Sequence, residues 1–166
     1  MRHISMNAAC VQFIPRHDDS WEDYVRIEWN DDNRCRSSVG RVGGLQKVLL
    51  ASGCLNIGTI IHELMHVLGF HHEHSRPDRD EYLEIMWENI DPDDWPNFKQ
   101  IKPKYWRNLT EFDYDSIMMY GEYSFSFNHK PTILARDSSY VLTSPRDKKH
   151  LSPLDIHALQ QLYCDN

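Results

Sequence analysis

The sequence predicts an α+β fold in two lobes, and three features of the chain carry that prediction. Tyr24–Trp29 and residues 45–51 have the composition and alternation of β-strands. Residues 59–70 are apolar nearly all round, as in a buried helix. Beyond His72 the texture turns polar and proline-punctuated, and a well-capped helix closes the chain. The boundary between the lobes therefore falls near His72–Glu73.

Taken in order, Val11, Gln12, Phe13 and Ile14 alternate weakly and stop at Pro15, which reads as a short strand. Tyr24–Trp29 alternates apolar with polar and is a better strand, ended by Asn30, Asp31, Asp32 and Asn33. Residues 39–44 are glycine-rich and irregular, and residues 45–51, with Val48, Leu49 and Leu50, form a third strand. Ile60, Ile61, Leu64, Met65, Val67 and Leu68 make residues 59–70 a buried helix. Between residues 75 and 114, Pro77, Pro92, Pro96 and Pro103 break the chain into loops and short helical turns. There Trp87, Trp95, Phe98, Tyr105 and Trp106 supply a satellite core. Residues 152–162 form the closing helix, with Ser152 as N-cap, Pro153 in the first turn and Asp155 three residues on. Its buried stripe is Ile156, Leu159 and Leu162.

At 166 residues the chain is one domain, 1–166, with lobes 1–72 and 73–166. No apolar run reaches the roughly eighteen residues that cross a bilayer, so no membrane partner is expected. A net charge of −7 argues against a nucleic-acid partner, because a phosphate backbone calls for a basic face. Four cysteines without a C-x-x-C pair suit two disulfides in an oxidising compartment, with three pairings open. Asn108-Leu109-Thr110 is a glycosylation sequon in a secreted chain. Residues 1–10 contain no signal-peptide core, so a signal and pro-segment are expected outside this stretch.

The chemistry concentrates in His62 to His72, which reads H-E-x-x-H-x-x-G-x-x-H. On an α-helix two residues four apart lie about 40° apart around the axis and roughly 6 Å along it. His62 and His66 therefore share a face and can bind one ion. Glu63 sits beside such an ion, where a carboxylate deprotonates metal-bound water. Gly69 lets the chain leave the helix, and the turn brings His72 back as a third nitrogen. Three neutral imidazoles with one open position make a catalytic rather than a structural zinc site, one Zn2+ per chain. A helix carrying surface histidines is the alternative. From this composition the five fixed residues recur by chance on the order of once in ten thousand such chains.

Residues 69–80, GFHHEHSRPDRD, resemble the extended signature of the astacin family of metzincin zinc endopeptidases, with Glu73 as the marker after the third ligand. Ser116-Ile117-Met118-Met119-Tyr120 resembles the family's Met-turn, S-x-M-x-Y, and residues 35–48 and 142–147 match as well. The resemblance implies a twisted, mostly parallel sheet and zinc helix in the first lobe and an irregular second lobe ending in a helix. It implies disulfides Cys10–Cys164 and Cys35–Cys54. It places residues 1–10 at the end of a helix whose start, with the family's first strand, lies outside this chain. It makes His62, His66, His72 and a swinging Tyr120 the metal ligands, Glu63 the general base, and Tyr120 also the donor to the oxyanion. Met118 becomes an apolar floor under the metal, while His71 and His74 are surface or supporting groups.

The implied activity is zinc-dependent hydrolysis of peptide bonds in extended protein substrates by a secreted, extracellular, monomeric enzyme. Its substrate would lie along a sheet edge at residues 45–51. A catalytically inactive zinc-binding module is the alternative. In the family the carboxylate matching Glu73 meets a matured N-terminal ammonium, so Glu73 is expected to lack its partner here. Arg146, Lys148 and Lys149 lie by one wall of the implied substrate pocket, where a solvated basic loop is preferred over an acid-selecting one.

Overall fold

The computed structural model describes residues 1–32 and 34–165. Asn33, in the expected strand stop, lies outside the described residues. Helix α1, Arg2–Asn7, buries Ile4, and the chain after it buries Ala8 and Val11. Residues 11–14 form no strand: Val11 N–H closes a turn on the Ala8 carbonyl, and the segment pairs with no ladder.

Strand β1, Tyr24–Trp29, strand β2, Arg36–Ser37, and strand β3, Leu45–Leu50, form one sheet in the order β1-β3-β2. β1 runs parallel to β3 from Tyr24 opposite Leu45 to Trp29 opposite Leu50. β2 is antiparallel, with Arg36 opposite Leu49 and Ser37 opposite Val48. The expected edge at residues 45–51 is therefore the centre of the sheet, and the short β2 forms the border beyond it. The period of two is clean in β3, where Gln46, Val48 and Leu50 are buried while Leu45 and Lys47 are exposed. Val48, Leu50, Ala51 and Cys54 pack against Ile60 and Val67 of the next helix. Cys35, just before β2, is disulfide-bonded to Cys54, and Cys10 to Cys164, as the resemblance implies.

Helix α2, Ile57–Val67, is capped by Asn56, whose side chain accepts from Thr59 N–H. It begins two residues earlier than the sequence suggests and stops at a paired reverse turn. Gly69 N–H donates to the His66 carbonyl and Phe70 N–H to the Met65 carbonyl, with Gly69 at φ 92°. That geometry ends a helix by a left-handed residue, which glycine adopts without strain. At the other end Gly58 permits contact with the turn Pro145–Asp147: a Cβ there would collide with the Pro145 and Lys148 carbonyl oxygens. Any side chain at position 58 would push that wall away from the helix.

The second half is built of 3-10 turns around a hairpin-like pair, strand β4, Leu83–Ile85, antiparallel to strand β5, Ile133–Ala135. Its core is Leu83, Ile90, Phe98, Phe112, Met119, Ile133 and Leu142. Of the aromatic residues expected to fill it only Phe98 is fully buried; Trp87, Trp95 and Tyr105 are exposed, the first two stacked edge-on at 5.7 Å. Helix α3, Pro153–Tyr163, carries the expected Ser152 cap, reinforced by Asp155 into a capping box. Leu159 of α3, Met118 and Ile117 share one core with Ile61, Leu64 and Met65 of α2 and Ile4 of α1.

Candidate active site

Helix α2 places His62 and His66 one turn apart, and the glycine turn delivers His72 in extended backbone at φ −63°, ψ 140°. The His72 Nε2 atom lies 3.2 Å from His62 Nε2 and 3.0 Å from His66 Nε2. His62 Nδ1 faces the Ile117 carbonyl at 2.8 Å and His66 Nδ1 the Phe70 carbonyl at 2.7 Å. A carbonyl only accepts, so both Nδ1 atoms carry the proton and both Nε2 atoms present lone pairs. With its proton on Nδ1, like the other two, His72 adds a third lone pair aimed at the same point, and a cation there satisfies all three. A tetrahedral zinc with nitrogens at about 2.0–2.1 Å sets them about 3.4 Å apart, close to the observed spacing. The three residues together satisfy the donor set of a metal site.

Electrostatics keep these imidazoles neutral. Burial, then the neighbouring His66, pushes the His62 pKa down to about 3; burial takes His66 to about 4, and His72 falls well below its ordinary value. The unfolded chain takes up protons near pH 6.5 that the folded site refuses, so stability rises with pH across this range. Stripped of metal, the protein is expected to lose up to about 1.4 kcal/mol of stability per histidine for each pH unit below 6.5. The loss should level off toward pH 3–4, where the folded His62 and His66 also protonate. Urea titrations of chelator-treated protein between pH 7 and 4 read this directly; a flat profile would contradict it.

Glu63 is buried beside the ligands, and burial raises its pKa while the Ser37 hydroxyl opposes the rise. Ser37 Oγ donates at 2.7 Å to Glu63 Oε2. Tyr120 packs its ring 4.6 Å from His72 and 3.9 Å from His74. Burial, followed by the Glu63 charge, raises the Tyr120 pKa, so the phenol stays protonated. These groups border a cleft of about 480 Å³ with Arg36, Val39, His71, Phe125 and Arg146.

Behind the ligands, Asp155 at the start of α3 accepts from Ser116 Oγ at 2.7 Å and from Ile117 N–H at 2.8 Å. It thereby holds the main chain at Ile117, the residue whose carbonyl faces His62 Nδ1. Met118 is 2% exposed in the core it shares with Leu64 and Met65 of α2, and its carbonyl accepts from Glu73 N–H at 3.0 Å.

Two expectations change, for Glu73 and Lys148, and for His74 the supporting role is the one the structure selects over the surface one. Glu73 is not without a partner: its Oε1 accepts from Arg76 Nη1 at 2.9 Å and from Asp113 N–H at 3.0 Å. His74 is wholly buried, with Nε2 3.0 Å from the Asn97 carbonyl, and serves as a packing surface for Tyr120. Of the basic residues near the cleft, Arg146 lines it, whereas Lys148 turns inward and donates to the Ser116 carbonyl at 2.6 Å. Ser37 and Arg76 were not singled out from the sequence, where neither carries a spacing signal.

Three converging imidazoles, a carboxylate one residue from the first of them and an α+β frame fit the metzincin-type zinc-peptidase class that the sequence resembles. The sequence model of the Astacin peptidase family matches residues 1–164, and the chain belongs to that family. It is 40% identical over 155 residues to zinc metalloproteinase nas-4 of Caenorhabditis elegans, covering 93% of this chain and 48% of that protein. It is 38% identical over 165 residues to astacin-like metalloprotease toxin 2 of Loxosceles intermedia, covering 98% of this chain and 63% of that one. The chain thus spans about half the length, or somewhat more, of these two relatives. Among solved structures it resembles high choriolytic enzyme 1, a hatching-enzyme zinc-protease from the medaka Oryzias latipes. The TM-score is 0.87 at 36% identity, over 98% of this chain and 78% of that one.

Proposed function

We propose that the chain is the catalytic domain of a secreted, extracellular, monomeric zinc metalloendopeptidase that hydrolyses peptide bonds in extended protein substrates. The observation that carries this reading is the convergence of three Nε2 atoms next to a buried carboxylate that opens on a cleft. His62, His66 and His72 would hold one zinc ion, with Tyr120 as a further ligand. Bound there, zinc supplies a Lewis acid for the scissile carbonyl and makes a water acidic enough to lose a proton near pH 7. Glu63, which lines the cleft, is the group that would take a proton from the attacking water and pass it to the departing amine. The raised Glu63 pKa helps, because a base must hold the proton long enough to pass it on. Tyr120 donates its phenolic hydrogen bond to the oxyanion of the tetrahedral state. The cleft separates lobes 1–72 and 73–166, and the substrate backbone lies along its border at β2, Arg36–Ser37.

Incubating the chain with a denatured protein, with and without a zinc chelator, tests this reading. Cleavage that the chelator abolishes and added zinc restores is expected. Absence of cleavage by a zinc-loaded chain would favour the inactive zinc-binding module instead.

A further inference from the structure

The segment from Cys35 to Gly40 crosses over helix α2 and is tied down at both ends. Cys35 is bonded to Cys54, ahead of the helix, and Gly40 N–H donates to the His66 carbonyl at 2.8 Å. Between these anchors Ser37 pairs with Val48 of β3, which fixes the side of the strand on which its hydroxyl emerges. That hydroxyl lies 2.7 Å from Glu63 Oε2 and 2.9 Å from the Glu63 main-chain carbonyl. Its single proton is shared between these two acceptors, the shorter contact being to the side chain, so the hydroxyl is held against this one residue. The other carboxylate oxygen, Oε1, has no protein partner among the described residues and is not sealed in the interior. Glu63 also lines the cleft, so one of its oxygens is held and the other is offered to the reacting groups.

We propose that Ser37 is a positioning residue for this chemistry: it fixes the rotamer of Glu63 so that a single oxygen, Oε1, faces the cleft. The assignment rests on Glu63 being the general base. A glutamate side chain has three rotatable bonds, and a productive proton transfer needs heavy atoms within about 2.6–3.2 Å. A carboxylate free to rotate would satisfy that only part of the time. Because Ser37 belongs to the strand that borders the cleft, a substrate strand laid along β2 is registered against the same residue that aims the base. Position of substrate and position of base are thereby set by one two-residue strand. The neighbouring Ser38 is exposed and makes no side-chain hydrogen bond among the described residues, so it is a control on the same segment.

The test compares zinc-loaded parent, Ser37→Ala, Ser37→Thr, Ser38→Ala, Glu63→Gln and the Ser37→Ala/Glu63→Gln double variant on one peptide. It reads kcat, KM, zinc affinity by chelator competition and Tm. Removing the partner of a site residue costs about 10–100-fold, and here the loss should fall on kcat with KM nearly unchanged. Zinc affinity and Tm should hold, Ser37→Thr should recover most of the rate, and Ser38→Ala should match the parent. In the Glu63→Gln background the further loss on Ser37→Ala should disappear, since Ser37 acts only through Glu63. An unchanged kcat, or the same fold-loss with Glu63 present or absent, would overturn the assignment of Ser37 and leave the peptidase reading standing. A parent with no chelator-sensitive cleavage would overturn both.

Discussion

Glu63→Gln is expected to lower kcat/KM on a protein substrate by about 10²–10⁴-fold, the usual worth of a positioned general acid–base group. The zinc content should be unchanged. Glutamine has nearly the shape of glutamate and can accept the Ser37 hydroxyl through its amide oxygen, so packing under β2 is preserved. What it lacks is a site that takes a proton. The metal ligands do not depend on Glu63: His62 and His66 are oriented by the Ile117 and Phe70 carbonyls, on the far side of their rings. His66→Ala is the contrasting variant, since it removes one of the three nitrogens and should lose both metal and activity together. The pair of measurements, zinc stoichiometry and rate, therefore separates the proton acceptor from the ligand. Glu63→Gln with zinc bound and a rate within tenfold of the parent would sink the assignment of the base.

What the sequence disclosed was the part governed by local spacing. Ligand helix α2, its glycine exit and the third histidine all follow from residues fixed within eleven positions, and a helix repeats its geometry over that distance. The closing helix was legible for the same reason, because capping chemistry at Ser152 and Asp155 is confined to one turn. The cysteine pairing came from family resemblance, since Cys10 and Cys164 are 154 residues apart and spacing could not join them. The hidden part is non-local. A strand of two residues, Arg36–Ser37, has no periodicity to detect, and nothing in the run distinguishes Ser37 from Ser38. Strands β4 and β5 are three residues each and separated by most of the second half, so neither alone announces a partner. Residues 11–14 had strand-like alternation, but a strand exists only where a ladder receives it, and β3 already has β1 and β2 beside it. Lys148 read as a surface cation because its run is basic; the close approach at Gly58 instead holds that turn against α2, with the lysine tucked under the Ser116 carbonyl.

The largest effect on stability is expected away from the metal. Arg76 is 2% exposed and donates to Glu73 at 2.9 Å, to both oxygens of Asp78 at 2.9 Å, and to the carbonyls of Thr110 and Glu111 at 3.2 and 3.0 Å. Arg76→Met keeps much of the apolar stem but withdraws the charge from a buried carboxylate. Breaking such a pair from one side costs about 3–5 kcal/mol. The pH dependence identifies the cause. Burial already raises the Glu73 pKa to about 7 against the pull of Arg76, and without Arg76 it rises further. A carboxyl whose folded pKa exceeds its unfolded value, about 4.3–4.5, favours the fold most when protonated, and that advantage is lost as pH climbs. The deficit of Arg76→Met should therefore be smaller at pH 5 than at pH 8, in urea titrations of the zinc-loaded protein. Adding Glu73→Gln should recover part of it at pH 8 and little at pH 5, because the amide carries no charge to strand. Equal deficits at the two pH values would mean that Arg76 matters for its bonds to Asp78 and the 110–111 carbonyls rather than for Glu73. Since Glu73 follows His72 directly and its N–H donates to the Met118 carbonyl, a charge left alone there bears on both His72 and the segment that carries Met118.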